Sequence, residues 1–463
     1  MLTYELDRRG ELPLYEYLYR CIRRDILEGT LGPETRLPSK RALAEHLHIS
    51  VITVETAYQQ LEAEGYVASA PRRGFFVARV EQAPKAAPVA APAAEVRKQP
   101  AWRLNLQQNL VDVSRFPVST WVRLTRQVLS EGGTALLSPV PHQGLLALRQ
   151  AIARDLWERK GMAVNPEQIV VGAGAEYLYL LLAQLLGREA VLAVEDPGYP
   201  KIRQVYEQWG LPCRPVALDH QGVSPQALIR VGAAAVHLSP SHHYPTGLVT
   251  PIGRRQALLR WAETHNGLII EDDYDSEFRF AGRPLPTLQS IDSSGRVIYM
   301  NTFSQTISPS MRVGFMVLPP PLLERYRKEL DFYSCTVPAL DQHVLARFLD
   351  GGYYDQHISR MRKEYRLRRT RVLEAFRSSP FASRVDIAEE GAGLHFLLHL
   401  HTERSDAEIL KKAEELGVRL AFLSEFAALH KEAYEHTLVI NYAGLNQDQL
   451  TETVELLSEV FAE

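Results

Sequence analysis

A hydroxyl-rich stretch that ends in one arginine could hold a phosphate group. Between Val297 and Gly314, an apolar start is followed by a series of hydroxyl side chains and then by Arg312. The hydroxyls belong to Thr302, Ser304, Thr306, Ser308 and Ser310. Because hydroxyl and guanidinium groups donate hydrogen bonds to phosphate oxygens, we interpret this stretch as the candidate centre of a ligand site.

A glycine-containing turn is a second candidate phosphate contact. Its residues, Gly172, Ala173, Gly174, Ala175 and Glu176, follow one apolar run and open another with helical character. Backbone N–H groups at the N-terminus of a helix can bind a phosphate. The turn lacks the third glycine of the dinucleotide-binding fingerprint, and taken alone it is explained better as a close-packed turn.

Two further segments could contact a flat, aromatic ligand. Tyr199 lies in a proline-flanked turn and could stack on a ring, although a buried turn tyrosine is an equal alternative. Asp272 and Tyr274 follow an apolar run and project to the same side of an extended chain. An aspartate beside a ring nitrogen keeps that nitrogen protonated, and a tyrosine can hydrogen-bond a ring oxygen. We interpret the neighbouring acidic residues as an acidic loop at a strand end: Glu271, Asp273 and Asp275.

The sequence argues against a metal site. His242 and His243 are adjacent, so their side chains face apart, and no third ligand is evident. The three cysteines, Cys21, Cys213 and Cys335, lie far apart without the C-x-x-C spacing of a zinc cluster. Such cysteine use suits a reducing compartment.

The candidate ligand residues follow the strands of a predicted α/β domain. Helical patterns alternate with short apolar runs at 168–171, 190–194, 234–238, 268–270, 297–300 and 313–318. This alternation predicts a mostly parallel sheet covered by helices on both faces. Ligands bind such sheets at the carboxyl ends of the strands, where the candidate residues fall.

The first 80 residues show a different pattern. Apolar spacing and serine caps predict helices over Pro13 to Leu27, Lys40 to Leu47 and Val51 to Glu64. The run Tyr66 to Val77 predicts two strands around a basic turn. Three helices and such a hairpin are typical of a winged helix-turn-helix, whose third helix enters the major groove of DNA.

Eight residues of this unit are candidate DNA contacts. Ser50, Thr53 and Thr56 would face the bases from the third helix. Phosphate or minor-groove contacts would come from Lys40, Arg41, Arg72 and Arg73, with Gly74 at the turn. Residues 1–80 carry 11 basic and 11 acidic side chains, so a protein-interaction domain is an alternative.

Composition favours a soluble protein of two or three domains. The chain has 463 residues, 46% of them apolar and 23% charged, and its net charge of −3 gives no global argument for nucleic acid or membrane. Residues 81–100 are rich in alanine and proline, which predicts a linker. The start lacks a signal-peptide pattern and the most apolar run, Leu178 to Leu186, is too short to span a bilayer. We therefore expect a cytoplasmic protein without a membrane partner.

The N-terminal residues resemble the DNA-binding domain of the GntR family. The resemblance covers residues 11–78 and is carried by LPSKRALAEHL, ISVITVETAYQQLEAEGYV and RRGFFV. It implies binding to double-stranded operator DNA. The family usually has a basic residue after the capping serine, where this chain has Val51, so the operator is expected to differ from those of relatives.

The remainder of the chain, residues 105–463, resembles fold type I aminotransferases, chiefly through the order of its motifs. The fusion resembles the MocR subfamily of GntR regulators, whose members sense pyridoxal phosphate and amino compounds. The resemblance implies a winged helix over 1–80, a linker over 81–103, and an effector and dimerisation domain over 104–463 with a small subdomain from about 350. It implies a homodimer, and a pyridoxal phosphate site formed by Gly174, Ala175, Tyr199, Asp272, Tyr274, Ser304, Gln305 and Arg312.

Two departures from the aminotransferase pattern change the implied activity. The family has Ser-Lys where this chain has Ser304-Gln305, and that lysine forms the internal Schiff base. An amide has no basic nitrogen for this chemistry, and no lysine occurs between Lys201 and Lys328, although a lysine distant in sequence could reach the site.

The second departure concerns the substrate carboxylate. Aminotransferases of this fold that act on α-amino acids carry an arginine ahead of a short apolar segment near the C-terminus, and the run His436 to Gly444 contains none. His395, Arg360 or Arg362 could supply polarity instead. The sequence therefore supports a carboxylate ligand less strongly than the resemblance alone does.

The leading hypothesis is a DNA-binding transcriptional regulator rather than an enzyme. Its aminotransferase-like domain would sense a small effector, pyridoxal phosphate or a related compound, held noncovalently because of Gln305. The alternatives are a pyridoxal-phosphate-dependent aminotransferase with a DNA-binding appendage, a pocket that now binds something else, and a dimerisation scaffold without a ligand.

Overall fold

The computed structural model describes residues 2–79, 102–107, 111–280, 285–388, 391, 393–445 and 447–462. The chain divides into two compact units, Met1–Gln99 and Pro100–Glu463. Positions 81–101 of the predicted linker lie outside the described residues.

The described part of the first unit contains the predicted helices and hairpin. They are α1 (Leu14–Leu27), α2 (Lys40–Leu47), α3 (Val51–Ala63), β1 (Val67–Ala70) and β2 (Gly74–Val77). Ser39 Oγ and Ser50 Oγ each accept a backbone hydrogen bond of 3.1 Å at the start of α2 and α3. Because such caps satisfy N–H groups that a helix leaves unpaired, both helices begin where the serines predict. One core joins the apolar faces of α1 and α3.

The second unit contains the remaining helices and strands. Its helices are α4 (Val118–Gly132), α5 (Leu146–Lys160), α6 (Ala175–Leu186), α7 (Pro200–Gln208), α8 (Pro225–Arg230), α9 (Ile252–Thr264), α10 (Pro320–Glu329), α11 (Ala339–Asp350), α12 (Tyr353–Arg377), α13 (Asp406–Glu415) and α14 (Leu450–Val460). Its strands are β3 (Leu104–Asn105), β4 (Ile169–Gly172), β5 (Leu192–Asp196), β6 (Cys213–Ala217), β7 (Ala235–Leu238), β8 (Leu268–Asp272), β9 (Val297–Thr302), β10 (Gly314–Val317), β11 (Val385–Ala388), β12 (His395–Leu400), β13 (Val418–Arg419) and β14 (Thr437–Asn441). None of the helices in the described part of the chain is long and apolar enough to cross a membrane.

The central sheet has seven strands among the described residues, in the order β4-β10-β9-β8-β7-β5-β6. Strands β6, β5, β7, β8 and β9 pair in parallel, whereas β10 runs antiparallel to β9 and β4. Ile269 and Ile270 of β8 belong to different core clusters, because alternate side chains of a strand point to opposite faces. The predicted α/β class and mostly parallel sheet are confirmed.

A smaller α+β part lies near the C-terminus, as predicted. Its sheet pairs β11, β12 and β14 antiparallel, and β13 pairs in parallel with β3. Phe376 of α12, Phe396 of β12 and Tyr442 pack in its core with the apolar side of α14. Asp196, at the end of β5, accepts backbone hydrogen bonds from Ala428 and Leu429 at 2.6 and 2.9 Å. This part therefore adjoins the carboxyl edge of the central sheet.

Candidate functional site

One edge of the central sheet collects the predicted ligand residues. Strands β5 and β8 are both parallel to β7 and end at Asp196 and Asp272. Gly314 at the start of β10 pairs with Thr302 at the end of β9 and with Gly172 at the end of β4. The turns that follow these strand ends consequently converge.

Asp272 is a buried carboxylate held by two aromatic side chains. It is 5% exposed, and its Oδ2 accepts a hydrogen bond of 2.7 Å from the Tyr179 hydroxyl and lies 3.3 Å from His237 Nε2. The Tyr206 hydroxyl lies 3.1 Å from His237 Nδ1. Burial, with the nearby Asp272 charge, raises the pKa of Tyr179 well above its usual value, so Tyr179 remains a donor. No described residue donates to Oδ1, which leaves this oxygen for a cationic or N–H group of a ligand.

The glycine turn lies against Arg312. Gly174 caps α6 with a φ of 86°, and a Cβ added there would lie 2.7 Å from Arg312 Nη2. Ala173 N donates to Thr336 Oγ1 at 2.9 Å. A cavity of about 310 Å³ opens beside Ala173, Arg312 and Thr336. Bare backbone, a helix N-terminus and a guanidinium thus meet at one place, which is the donor set that suits a phosphate.

Glu176 bridges two cations at this turn, and the sequence analysis assigned it no role. Its carboxylate pairs with Arg312 and, at 3.0 Å, with Lys201 Nζ. Burial acts against ionisation, but the hydrogen bonds from Lys201 and Arg312 lower the pKa of Glu176. Glu176 could be noticed in the sequence only as an acidic residue in the first turn of a helix, where it interacts favourably with the helix dipole.

Aromatic residues line the edge beside Asp272. Tyr199 is 42% exposed, and its ring centroid lies 6.0 Å from that of Tyr244. The Tyr274 hydroxyl lies 3.3 Å from His242 Nδ1, and the His242 ring centroid is 4.9 Å from that of His395. His242 and His395 thus meet beside Tyr274, a contact that their positions in the sequence do not reveal.

Of the three residues interpreted as an acidic loop at a strand end, Asp273 and Asp275 follow β8 as predicted, whereas Glu271 lies within the strand, and all three are buried. Glu271, Asp273 and Asp275 are 0%, 1% and 1% exposed. Their respective partners are Arg255 at 3.6 Å, Lys160 at 2.6 Å and His242 at 3.0 Å. Burial of a carboxylate requires such a partner, and the partners come from distant segments that the local sequence does not reveal.

The candidate DNA contacts surround the start of α3 and the hairpin. Lys40 pairs with Glu55 of α3, and its Nζ lies 5.6 Å from the centroid of the Phe75 ring in β2. Lys40 therefore connects α2, α3 and the hairpin. The predicted phosphate contacts Arg41, Arg72 and Arg73 are exposed, and Gly74 opens β2.

Comparisons with known proteins assign both units. Residues 14–77 match the family model of bacterial regulatory proteins of the gntR family, and residues 102–457 match aminotransferase class I and II. The chain is 32% identical over 472 residues to the probable rhizopine catabolism regulatory protein MocR of Rhizobium meliloti, covering 98% of this chain and 95% of that protein. The chain belongs to the MocR subfamily of GntR-type transcriptional regulators.

Other comparisons agree with this MocR architecture. The HTH-type pyridoxine biosynthesis transcriptional regulator PdxR of Corynebacterium glutamicum is 35% identical over 378 residues, which cover 81% of each chain. A crystal structure of Pyrococcus horikoshii kynurenine aminotransferase superimposes with a TM-score of 0.68 and 25% identity, covering 77% of this chain and 90% of that one. The fold of the larger MocR unit is thus that of an aminotransferase.

Two lysines of the second unit, Lys160 and Lys201, are paired with carboxylates. Ser304 and Gln305 lie partly buried between β9 and β10. The Lys160 side chain is 12% exposed and donates to Asp273, whose side chain contacts Tyr299 rather than Tyr179. Lys201 pairs with Glu176, which also pairs with Arg312.

An apolar cluster lies where the resemblance implies a carboxylate clamp. Val439 of β14 packs with Leu397 and Leu423, next to Tyr244. Of the polar residues considered as substitutes, His395 reaches the pocket edge, where its Nε2 lies 3.0 Å from a backbone carbonyl oxygen. The other two are Arg360 and Arg362, and their Nε atoms donate to backbone carbonyls of α12 and of the segment after β8.

Proposed function

We propose that this MocR regulator binds operator DNA through its winged helix and senses pyridoxal phosphate or a related vitamer, held noncovalently, in its aminotransferase-like unit. The observation that carries the ligand proposal is the buried Asp272 with its Tyr179 and His237 contacts, at the same sheet edge as the Gly174–Arg312 contact. Asp272 would hydrogen-bond the ring nitrogen and keep it protonated.

The other residues fit the rest of the ligand. Ala175, Ser304 and Arg312 would hold the phosphate through N–H, hydroxyl and guanidinium donors. Gly174, whose N–H donates to the Gly172 carbonyl, would let the phosphate approach closely because it lacks a side chain. Tyr199 would cover the ring, and Tyr274 would bond its phenolic oxygen. When bound, pyridoxal phosphate supplies an aldehyde and an electron-withdrawing ring. Gln305 has no nucleophilic nitrogen, so this chain would bind and orient the ligand without transamination.

The names and sequences of relatives support this ligand class. The relative PdxR is named as a regulator of pyridoxine biosynthesis. The missing carboxylate clamp and the Val439 cluster favour a vitamer over an amino acid as the effector. A homodimer that changes geometry on binding would transmit the signal, provided that the ligand binds one arrangement more tightly than the other.

A titration with pyridoxal phosphate tests the proposal. The protein should give saturable absorbance changes, and borohydride should trap no covalent adduct. Gln305→Lys should introduce a trappable adduct. Asp272→Ala should weaken binding of pyridoxal phosphate both in the unmodified chain and in Gln305→Lys. No saturable binding would refute the proposed ligand. A trapped adduct in the unmodified chain would refute noncovalent binding, and its loss in Lys201→Ala would identify the lysine responsible.

A further inference from the structure

The start of α3 exposes aliphatic side chains. Ile52 is 74% exposed and Val51 is 42% exposed, and both lie in the first turn after the capping Ser50. The buried face of α3 is formed by Val54, Ala57, Tyr58 and Leu61, each 0% exposed. Packing within the unit therefore does not account for the two aliphatic residues.

The hydroxyls predicted to face the bases are already engaged by the helix. Ser50 Oγ accepts from Thr53 N at 3.1 Å and lies 2.7 Å from Thr53 Oγ1. The Thr56 hydroxyl donates to the Ile52 carbonyl at 3.0 Å. These bonds use hydrogen-bonding capacity of the three hydroxyls that could otherwise go to a base edge. Val51 and Ile52 are the aliphatic residues exposed at this turn.

The charges of the unit are compatible with a helix that approaches DNA in this orientation. Glu55 would repel phosphates, but it is paired with Lys40. Arg41, Arg72 and Arg73 are exposed and can contact the DNA backbone. The unit thus presents cations for phosphates and an apolar helix start for the bases.

We propose that Val51 and Ile52 contact the C5-methyl groups of thymine in the major groove, so that these operator positions are A·T pairs. The inference rests on the proposed DNA binding of this unit. Thymine presents a methyl group in the major groove, whereas guanine presents acceptors that arginine or lysine recognises. Neither Val51 nor Ile52 has a side-chain donor for guanine. One buried methyl group corresponds to about four-fold in affinity.

The test uses the full chain and a duplex that this chain enriches from a random library. Each thymine of the duplex is replaced in turn by uracil, which pairs identically but lacks the methyl group. At fixed salt, fluorescence anisotropy should show about four-fold weaker binding at one or two positions of each half-site. Ile52→Ala should lose this sensitivity at its position. Leu27→Ala, which truncates a 43% exposed aliphatic residue at the end of α1, should retain it.

The outcomes separate this inference from the proposal on which it rests. If specific binding persists but no uracil duplex differs from the parent, the thymine contact is wrong and DNA binding stands. If folded Ile52→Ala still binds the uracil duplexes more weakly than the parent duplex at every position where the unmodified chain does, the methyl contact does not belong to Ile52. Failure to enrich any duplex refutes DNA binding and this inference together. If Ile52→Ala does not fold, as judged by its circular dichroism, the uracil series on the unmodified chain decides alone.

Discussion

Gly174→Ala should weaken pyridoxal phosphate binding through a displacement of Arg312. A Cβ at this position would lie 2.7 Å from Arg312 Nη2 and 2.8 Å from its Cζ, closer than carbon atoms tolerate. The obstructed atoms are the far end of a flexible side chain, so the guanidinium moves aside rather than the backbone. The substitution thus displaces a charged donor within the proposed phosphate site, to which Gly174 itself belongs.

Gly174→Ala should lower both the folding stability and the affinity for pyridoxal phosphate. The Gly174 backbone, at φ 86° and ψ 178°, lies in a region that only glycine adopts readily, and an alanine there costs about 1–3 kcal/mol of folding stability. Loss of one hydrogen bond to a charged group costs about 1.5–3 kcal/mol of binding, which raises Kd roughly 10- to 150-fold.

Gly187 provides the matched control, because it caps the other end of α6. Its φ is 83°, and a Cβ there would meet nothing within 4 Å. Gly187→Ala should show the same loss of stability in thermal denaturation and an unchanged Kd in calorimetric titration with pyridoxal phosphate. The reasoning fails if Gly174→Ala binds like the unmodified protein, or if Gly187→Ala loses as much affinity as Gly174→Ala.

Three further predictions concern side chains around the pocket. Glu176→Gln should tighten binding of both pyridoxal phosphate and inorganic phosphate, because it releases Arg312 from a competing carboxylate; weaker or equal affinity by calorimetry would contradict this. Tyr179→Phe should cost about 1–3 kcal/mol in urea denaturation, because Asp272 loses a buried donor, and should weaken ligand binding; unchanged values would show that the hydroxyl does not hold Asp272. Burial raises the pKa of Glu195 from 4.5 to about 8. The protonated form is therefore favoured by folding, and its contribution to stability is complete below pH 4.5 and is lost as the pH rises through 8. Glu195→Gln should therefore flatten the fall in stability between pH 5 and 8, and an unaltered slope would place that fall elsewhere.

Much of the scaffold could be predicted from local sequence signals. The serine caps define the starts of α2 and α3, since a cap satisfies a helix end by short-range bonds. The apolar runs locate the buried central strands of the sheet. Strand β6 was missed because its run is not continuously apolar: Cys213 and Val216 are buried, whereas Arg214 and Ala217 are exposed. The other edge strand, β4, is buried throughout, and its apolar run predicted it.

The composition of the pocket was less predictable than its location. Asp272 and Arg312 could be proposed because each stands next to a recognisable strand end. The contacts of Glu176 with Lys201 join side chains 25 positions apart, and those of His242 with His395 join segments more than 150 apart. Such contacts depend on how elements pack, which periodicity and spacing do not encode.

The combination of a retained Asp272 network with Gln305 has a consequence for sensing. In the proposed noncovalent complex, occupancy of the site depends only on contacts to the phosphate and the ring of the ligand. The ligand therefore dissociates once those contacts break. A sensor needs this reversibility, because its occupancy must follow the free ligand concentration. By linkage, if the ligand changes the affinity of this chain for operator DNA by some factor, the DNA changes the affinity for the ligand by the same factor. Measuring the Kd of pyridoxal phosphate with and without the enriched duplex thus tests whether the two units are coupled: equal values would show that the pocket binds the ligand without informing the winged helix.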